Sequence, residues 1–181
     1  MSETVPTPRR PPTAAEARAL AHPTRLRILF ACREHARTNK ELAEQLGTTP
    51  GTIHYHLRPL VAEGFLRAET PRPGPRGSRE QPYRATGKSW EIGGTADTGR
   101  ALRQVGAEEL LATEDDDVVS LARLGVSLPQ DELTAVLERI HAVLEEAKAR
   151  THELATSGGD GSTTAADEPV TLLFAAHRSG R

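Results

Sequence analysis

The sequence predicts an α+β fold, with a mainly helical first half that ends in a β-hairpin and a second half built on one long helix. Three observations lead there. A helical pattern within residues 38–65 stops at Gly47 and restarts at Thr49. The alternation after Phe65 has the period of a strand rather than a helix. Charge is segregated along the chain: residues 1–90 carry 15 Lys and Arg against 8 Asp and Glu, whereas residues 91–181 carry 8 against 17.

At 181 residues the chain can hold one domain of ordinary size, or a small domain with an accessory segment. The single Cys32 excludes an intramolecular disulfide framework and a Cys-rich zinc site. No apolar run has the length of a membrane span, and the N-terminus lacks the apolar region of a signal peptide. A soluble, cytoplasmic protein is expected. A basic half joined to an acidic half suits a nucleic-acid-binding unit with a different second task, although such segregation also occurs in proteins that touch no nucleic acid.

Residues 1–12 read as a disordered arm, since Pro6, Pro8, Pro11 and Pro12 stand among small and polar residues. Thr13 is a candidate N-cap for a first helix carrying Leu20 on its apolar side. Pro23 opens the next helix, because it biases His22 away from helical geometry and fits the first helical position. Leu26, Leu29 and Phe30 should face the core from it, with Cys32 as a packing residue.

The pair of helices in residues 38–65 follows. Thr38 caps the first, and Glu41 completes a capping box. Leu42, Ala43 and Leu46 share its buried face, and Gly47 ends it. Thr49 caps the second helix, with Pro50 at the first helical position, where its missing N–H is harmless. Ile53, Leu57, Leu60 and Val61 form the expected buried stripe, which leaves Gly51, Thr52, His54, Tyr55 and Arg58 facing outward. That outward face offers hydroxyl, imidazole, phenol and guanidinium groups with no carboxylate before Glu63, which suits a groove lined by phosphates and base acceptors. An αα-hairpin inside an all-helical core would show the same pair. Pro59 lies inside the second helix, removes the bond to the Tyr55 carbonyl, and is expected to kink or fray the helix after Arg58.

Residues 65–70 then alternate as a strand, and the return strand is expected at Tyr83 to Thr86, with Pro82 tolerated at its start. The connection is rich in turn residues and carries Arg72, Arg76 and Arg79. An arginine-bearing hairpin directly after a reading helix can lie along a phosphate backbone or enter a narrow minor groove.

With these residues in place the chain resembles the winged helix-turn-helix of the ArsR-type bacterial transcriptional regulators. The resemblance is carried by the run from Leu20 through His22, Pro23, Thr24, Arg25 and Leu26 to Leu29, by Glu41, Leu42 and Ala43, by Leu46 and Gly47, by Thr52 through Arg58, and by Gly64, Phe65 and Leu66. It covers about residues 14–90 and implies a dimer that binds double-stranded DNA with the second helix of the pair in the major groove. Carried over residue by residue, it marks Thr49, Pro50, Gly51, Thr52, His54, Tyr55 and Arg58 as groove-facing; Arg72, Arg76 and Arg79, read above from the hairpin itself, are the wing's DNA-contacting candidates. Metal-sensing members often place a Cys-x-Cys pair on the first helix of the motif. Here residues 41–46 contain no thiol, which excludes thiolate-based sensing of a soft metal at that position.

The second half is expected to be an accessory segment, residues 93–181, for dimerisation and effector binding, following a winged domain at residues 13–92. Trp90 should anchor the junction by packing. Residues 97–112 read as a helix through Leu102, Val105 and Leu110, and the acidic run at residues 114–117 as a solvated turn. Residues 118–128 lean to a strand. Pro129 starts the longest helix, in which Leu133, Val136, Leu137, Ile140, Val143, Leu144 and Ala147 recur at three and four, a pattern equally suited to a dimer interface or to packing in its own domain. After a Gly/Ser-rich linker, residues 169–177 read as a terminal strand, giving a β-α-β unit.

His141 and His152 on that helix stand in a spacing that resembles the interfacial zinc site of some ArsR-type sensors. The same pattern wants a carboxylate two residues before the first and a ligand three after the second, where this chain has Arg139 and Ala155. With half the ligands missing, no metal or other cofactor is expected. No nucleophile, base and orienting group assemble from a recognisable motif, so no enzyme is expected. The expectation is a dimeric repressor that reads DNA, with an unidentified small-molecule effector. The alternatives are a metal-responsive regulator and a winged-helix protein-interaction module.

Overall fold

The computed structural model describes residues 9–33, 35–74, 78–120, 124, 126–157, 170–174 and 176. The chain divides into two compact units, one spanning Arg9–Val118 and the other containing the segment from Val119 onward.

The first unit opens with α1 (Ala14–Leu20) and α2 (Pro23–Ala31). Thr13 caps α1 and forms a capping box with Glu16, and His22 caps α2 through its ring Nδ1, which accepts from the Thr24 N–H at 3.2 Å. A short strand, β1 (Arg37–Thr38), leads into α3 (Asn39–Gln45), and α4 (Pro50–Ala62) follows after a tight turn. Then come β2 (Leu66–Ala68), the hairpin of β3 (Arg72–Pro73) and β4 (Arg79–Glu80), and β5 (Pro82–Ala85). The order in the three-stranded sheet is β1-β5-β2, all antiparallel, with Leu66 opposite Ala85 and Arg37 opposite Tyr83. A 3₁₀ turn at Lys88–Trp90 connects to α5 (Ala96–Ala112), capped by Thr95.

The core of this unit is apolar and fully closed. Phe65, Ile28, Leu42, Ile53, Leu60, Leu66, Val105 and Cys32 are its largest completely buried side chains. Burial pushes the Cys32 thiol up to about 11, so it is a packing group rather than a nucleophile. Ala101 and Val105 put α5 inside this core, and Arg27 of α2 pairs with Glu108 of α5. The helix expected to begin the accessory segment therefore packs within the winged unit, because its one apolar face meets α1 and α2.

Three further expectations change. Residues 9–12 are held against the unit: the Arg10 N–H donates to the Glu91 carbonyl at 3.1 Å, the Gly93 N–H donates to the Arg10 carbonyl at 2.8 Å, and the Arg10 guanidinium forks onto Glu16 at 2.7 and 2.8 Å. The buried Glu16 carboxylate also meets Lys88 at 2.8 Å and accepts from the Thr13 N–H at 2.9 Å, so one anion ties three segments together. Its pKa is driven well below the usual carboxylate range, first by the Arg10 guanidinium and then by Lys88. Second, α4 runs through Pro59 to Ala62, since Leu57 and Leu60 on either side are buried and hold the backbone in place; the helix neither ends nor frays after Arg58. Gly64, at φ 72°, and the Phe65 N–H bonded to the Leu60 carbonyl at 2.8 Å close it beyond the proline. Third, Val61 is exposed, and His56 takes a place in the buried stripe with Ile53, Leu57 and Leu60.

In the second unit, α6 (Gln130–Ser157) is the single regular element among the described residues beyond the 3₁₀ turn at Asp115–Asp117. No strand is present at the described positions of residues 118–128 and 169–177; the remaining positions of both runs, and with them the expected β-α-β unit, lie outside the described residues.

Candidate nucleic-acid interface

The turn between α3 and α4 is set by local chemistry at both ends. The Thr38 hydroxyl accepts from the Glu41 N–H at 3.2 Å, and the Glu41 carboxylate accepts from the Thr38 N–H at 2.8 Å. Gly47, at φ 59°, allows the chain to reverse, and the Thr48 N–H returns to the Ala43 carbonyl at 2.9 Å. Thr49 then caps α4 by accepting from the Thr52 N–H at 3.2 Å, and the two hydroxyls lie 3.0 Å apart.

Helical periodicity does the rest. Burying Ile53, His56, Leu57 and Leu60 turns Thr49, Pro50, Gly51, Thr52, His54, Tyr55 and Arg58 outward, and all seven are exposed. Tyr55 is 68% exposed despite its size, an unusual position for a phenol with no apolar neighbourhood to fill. Its ring stands edge-on to His56 at 5.1 Å, and His56 in turn lies 4.5 Å from His22 of α2.

This underlayer is what the sequence reading missed, although the three-and-four spacing of Ile53, His56 and Leu60 already put His56 on the inner face. Burial holds both His22 and His56 below the usual imidazole range, with the nearby Arg25 charge acting in the same direction on each. His56 Nδ1 and Arg25 Nε are buried with no protein partner. The Arg25 guanidinium does donate through Nη2 to the Arg18 carbonyl at 2.6 Å.

The hairpin carries the remaining site residues. Arg72 is opposite Glu80 and Pro73 opposite Arg79, and the Gly74 N–H donates to the Ser78 carbonyl at 2.7 Å. Arg79 is exposed. Arg76 lies outside the described residues. Arg72 reaches across to Glu41, so the carboxylate that completes the α3 capping box also anchors the hairpin. The Thr38 N–H and then Arg72 keep Glu41 below the usual carboxylate range. At the base of the hairpin, Arg67 and Arg84 face each other across β2 and β5 and share Glu69, at 3.1 and 3.3 Å.

Among the described residues no group of three or more His, Cys, Asp or Glu gathers, and no helix is long and apolar enough to cross a membrane. The long-helix histidines are separated by 11 positions, and the side chain of His152 lies outside the described set.

Two helices at a tight turn, followed by a hairpin on a small antiparallel sheet, define a winged helix-turn-helix protein. Residues 20–69 match the family model described as a helix-turn-helix domain. No curated protein matches the chain. Among solved structures, it is similar to an ArsR-like transcriptional regulator from Rhodococcus sp. RHA1, at 28% identity over 54% of this chain and 80% of that one, with a TM-score of 0.37. It is also similar to the homodimeric winged helix-turn-helix DNA-binding domain of a Mycobacterium bovis protein, at 30% identity over 54% and 80%, with a TM-score of 0.36. The helix-turn-helix match takes in α2, α3, α4 and β2 of this fold.

Proposed function

We propose that the protein is a cytoplasmic repressor that binds a two-fold DNA site as a homodimer. The observation that carries this reading is the outward face of α4, where seven small, polar or cationic residues stand together with no carboxylate among them. In the proposed complex α4 enters the major groove. Thr52, His54, Tyr55 and Arg58 reach base edges, with Arg58 suited to a guanine and Tyr55 offering both a phenol and a ring face to a thymine methyl. Thr49, Pro50 and Gly51 bring the positive end of α4 to a backbone phosphate. Arg76 and Arg79 anchor the wing on phosphates. Arg72 has a different part: while it holds Glu41 it braces the wing against α3, and a phosphate has to displace that carboxylate to claim it.

The dimer is proposed from the resemblance and from the homodimeric M. bovis relative. Two copies place two α4 helices one helical turn of DNA apart and call for a palindrome. Repression follows if the bound dimer blocks the promoter, and a small-molecule effector would release it. The test is selection of bound duplexes from a random DNA pool by the full chain. An inverted repeat with half-sites about 10 base pairs apart is expected. Enrichment of no sequence, together with no duplex binding at low salt, would replace this reading with a protein-interaction module.

A further inference from the structure

We propose that His56 is a positioning residue for base readout and that it holds α4 in place only as an uncharged ring, so that acidification removes the protein's DNA sequence preference before it removes the fold. The inference goes beyond the DNA-binding reading above and rests on it. His56 lies on the inner side of α4, 7% exposed, next to the outward Tyr55. Its ring fills the joint between α2 and α4: it is 4.5 Å from the ring of His22, which caps α2, and 5.1 Å from the ring of Tyr55. The other buried residues of α4, Ile53, Leu57 and Leu60, are aliphatic, so His56 alone in that stripe can change charge.

A charge on this ring has nothing to meet. His56 Nδ1 and Arg25 Nε are both buried with no hydrogen-bond partner among the described residues. A neutral ring can leave Nδ1 as a bare lone pair, whereas a charged ring puts an N–H there with no acceptor, and a buried unpaired charge is costly. From α2 the groups acting on His56 are His22 and Arg25, and a positive charge on either opposes one on His56. The Arg18 carbonyl of α1 already accepts from the Arg25 guanidinium at 2.6 Å. The carboxylates of the elements packed on α4 are engaged elsewhere: Glu16 of α1 holds Arg10 and Lys88, while in α3 Glu41 holds Arg72 and Glu44 faces Lys40 at 3.8 Å. β2 brings Arg67, a further cation, paired with Glu69. A protonated His56 therefore leaves the joint for water, which shifts the outward face of α4 while Ile53, Leu57 and Leu60 keep the helix in the core. His54, exposed on the same helix, acts with the opposite sign, because a charge gained there attracts phosphate.

The test compares the full chain at about pH 7.5 and about pH 5, at one ionic strength, on either side of the imidazole range. Fluorescence anisotropy reads two labelled duplexes, one recovered by the selection described above and one of mixed sequence and equal length, with circular dichroism run on the same samples. Affinity for the selected duplex is expected to fall about tenfold, the worth of a lost base contact. Affinity for the mixed duplex should hold or rise, because phosphate binding gains from added positive charge. In His56→Gln, which cannot take up the proton, the selected-to-mixed ratio should be the same at both pH values. A ratio that stays constant in the wild type, or falls equally in His56→Gln, would overturn the proposal, as would both affinities falling together with the circular dichroism signal. Magnetic resonance of the wild-type imidazoles tests the same point without a substitution: His56 should gain its proton where the ratio falls, and a ring still neutral after the preference has gone would also overturn it. A chain that binds neither duplex at pH 7.5 would sink the DNA-binding reading as well, whereas equal binding of the selected duplex at both pH values would sink this proposal alone.

Discussion

Replacing Pro59 with alanine should make the protein more stable, which is an uncommon direction for a substitution inside a helix. Pro59 sits within α4, where it has no N–H to give the Tyr55 carbonyl and its ring crowds the preceding turn. An interior proline is about 3 kcal/mol worse than alanine in a helix. Against this, proline restricts the unfolded chain and so contributes about 0.4–1 kcal/mol of stability that alanine lacks. The difference is a gain of about 2 kcal/mol for Pro59→Ala, since the flanking Leu57 and Leu60 already hold the helix in place and nothing has to move. For a unit the size of Arg9–Val118 that corresponds to a rise of roughly 8 °C in Tm. Urea unfolding followed by far-UV circular dichroism measures it, with an unchanged m-value as the sign that compactness is unaffected. DNA affinity, read by fluorescence anisotropy, should stay within about twofold, because every groove-facing residue precedes the substitution. A loss of stability would refute the reasoning: it would mean that the backbone around residue 59 is shaped to the proline ring rather than strained by it.

Three other outcomes follow from the same geometry. Changing Arg76 and Arg79 together to alanine should weaken binding to all duplexes alike and reduce the slope of log affinity against log salt by roughly 1–2; an unchanged slope in a salt titration would remove both residues from the phosphate contacts. Glu41→Gln keeps an oxygen for the Thr38 N–H but gives up the charge that holds Arg72, so stability should fall by less than about 1 kcal/mol, the pair being well exposed, while Arg72 becomes available to phosphate and the salt slope steepens. Stability should also decline on acidification through the histidine range. His22 and His56 bind protons less readily in the fold than in the unfolded chain, so their contribution is complete above about pH 6.5 and is lost as the pH falls below it; His56→Gln should flatten urea midpoints compared between about pH 7.5 and 5.5. Equal pH dependence in the wild type and the variant would show that His56 is not the group responsible.

The parts of the fold legible in the sequence are those whose causes lie within a few residues of one another. Thr13, Thr38 and Thr49 cap helices because the N–H groups they satisfy are three positions away, and Gly47 ends α3 because a left-handed residue is needed on the spot. The outward face of α4 was readable for the same reason: periodicity alone divides a helix into two sides. Pro59 and Val61 mark the limit of such reasoning. Local rules predict a helix that kinks or frays after Arg58 and a buried valine; with Leu57, Leu60 and Phe65 buried, the helix runs on to Ala62 without fraying and Val61 is exposed.

The tertiary structure decided everything that depends on groups distant in sequence. Arg10 lies on Glu16 and beside Ile92, Lys88 meets the same carboxylate, Arg72 crosses to Glu41, and the His22 ring lies tilted against His56. It also assigned α5 to the winged unit and left residues 118–128 without a strand among their described positions. Composition cannot announce these outcomes, because a charge or an apolar stripe states only that a partner is needed. Which partner it finds depends on what the folded chain brings within a few ångströms. Local sequence fixes α4 and the chemistry of its outward face, and tertiary packing fixes what braces that helix from beneath and from the side.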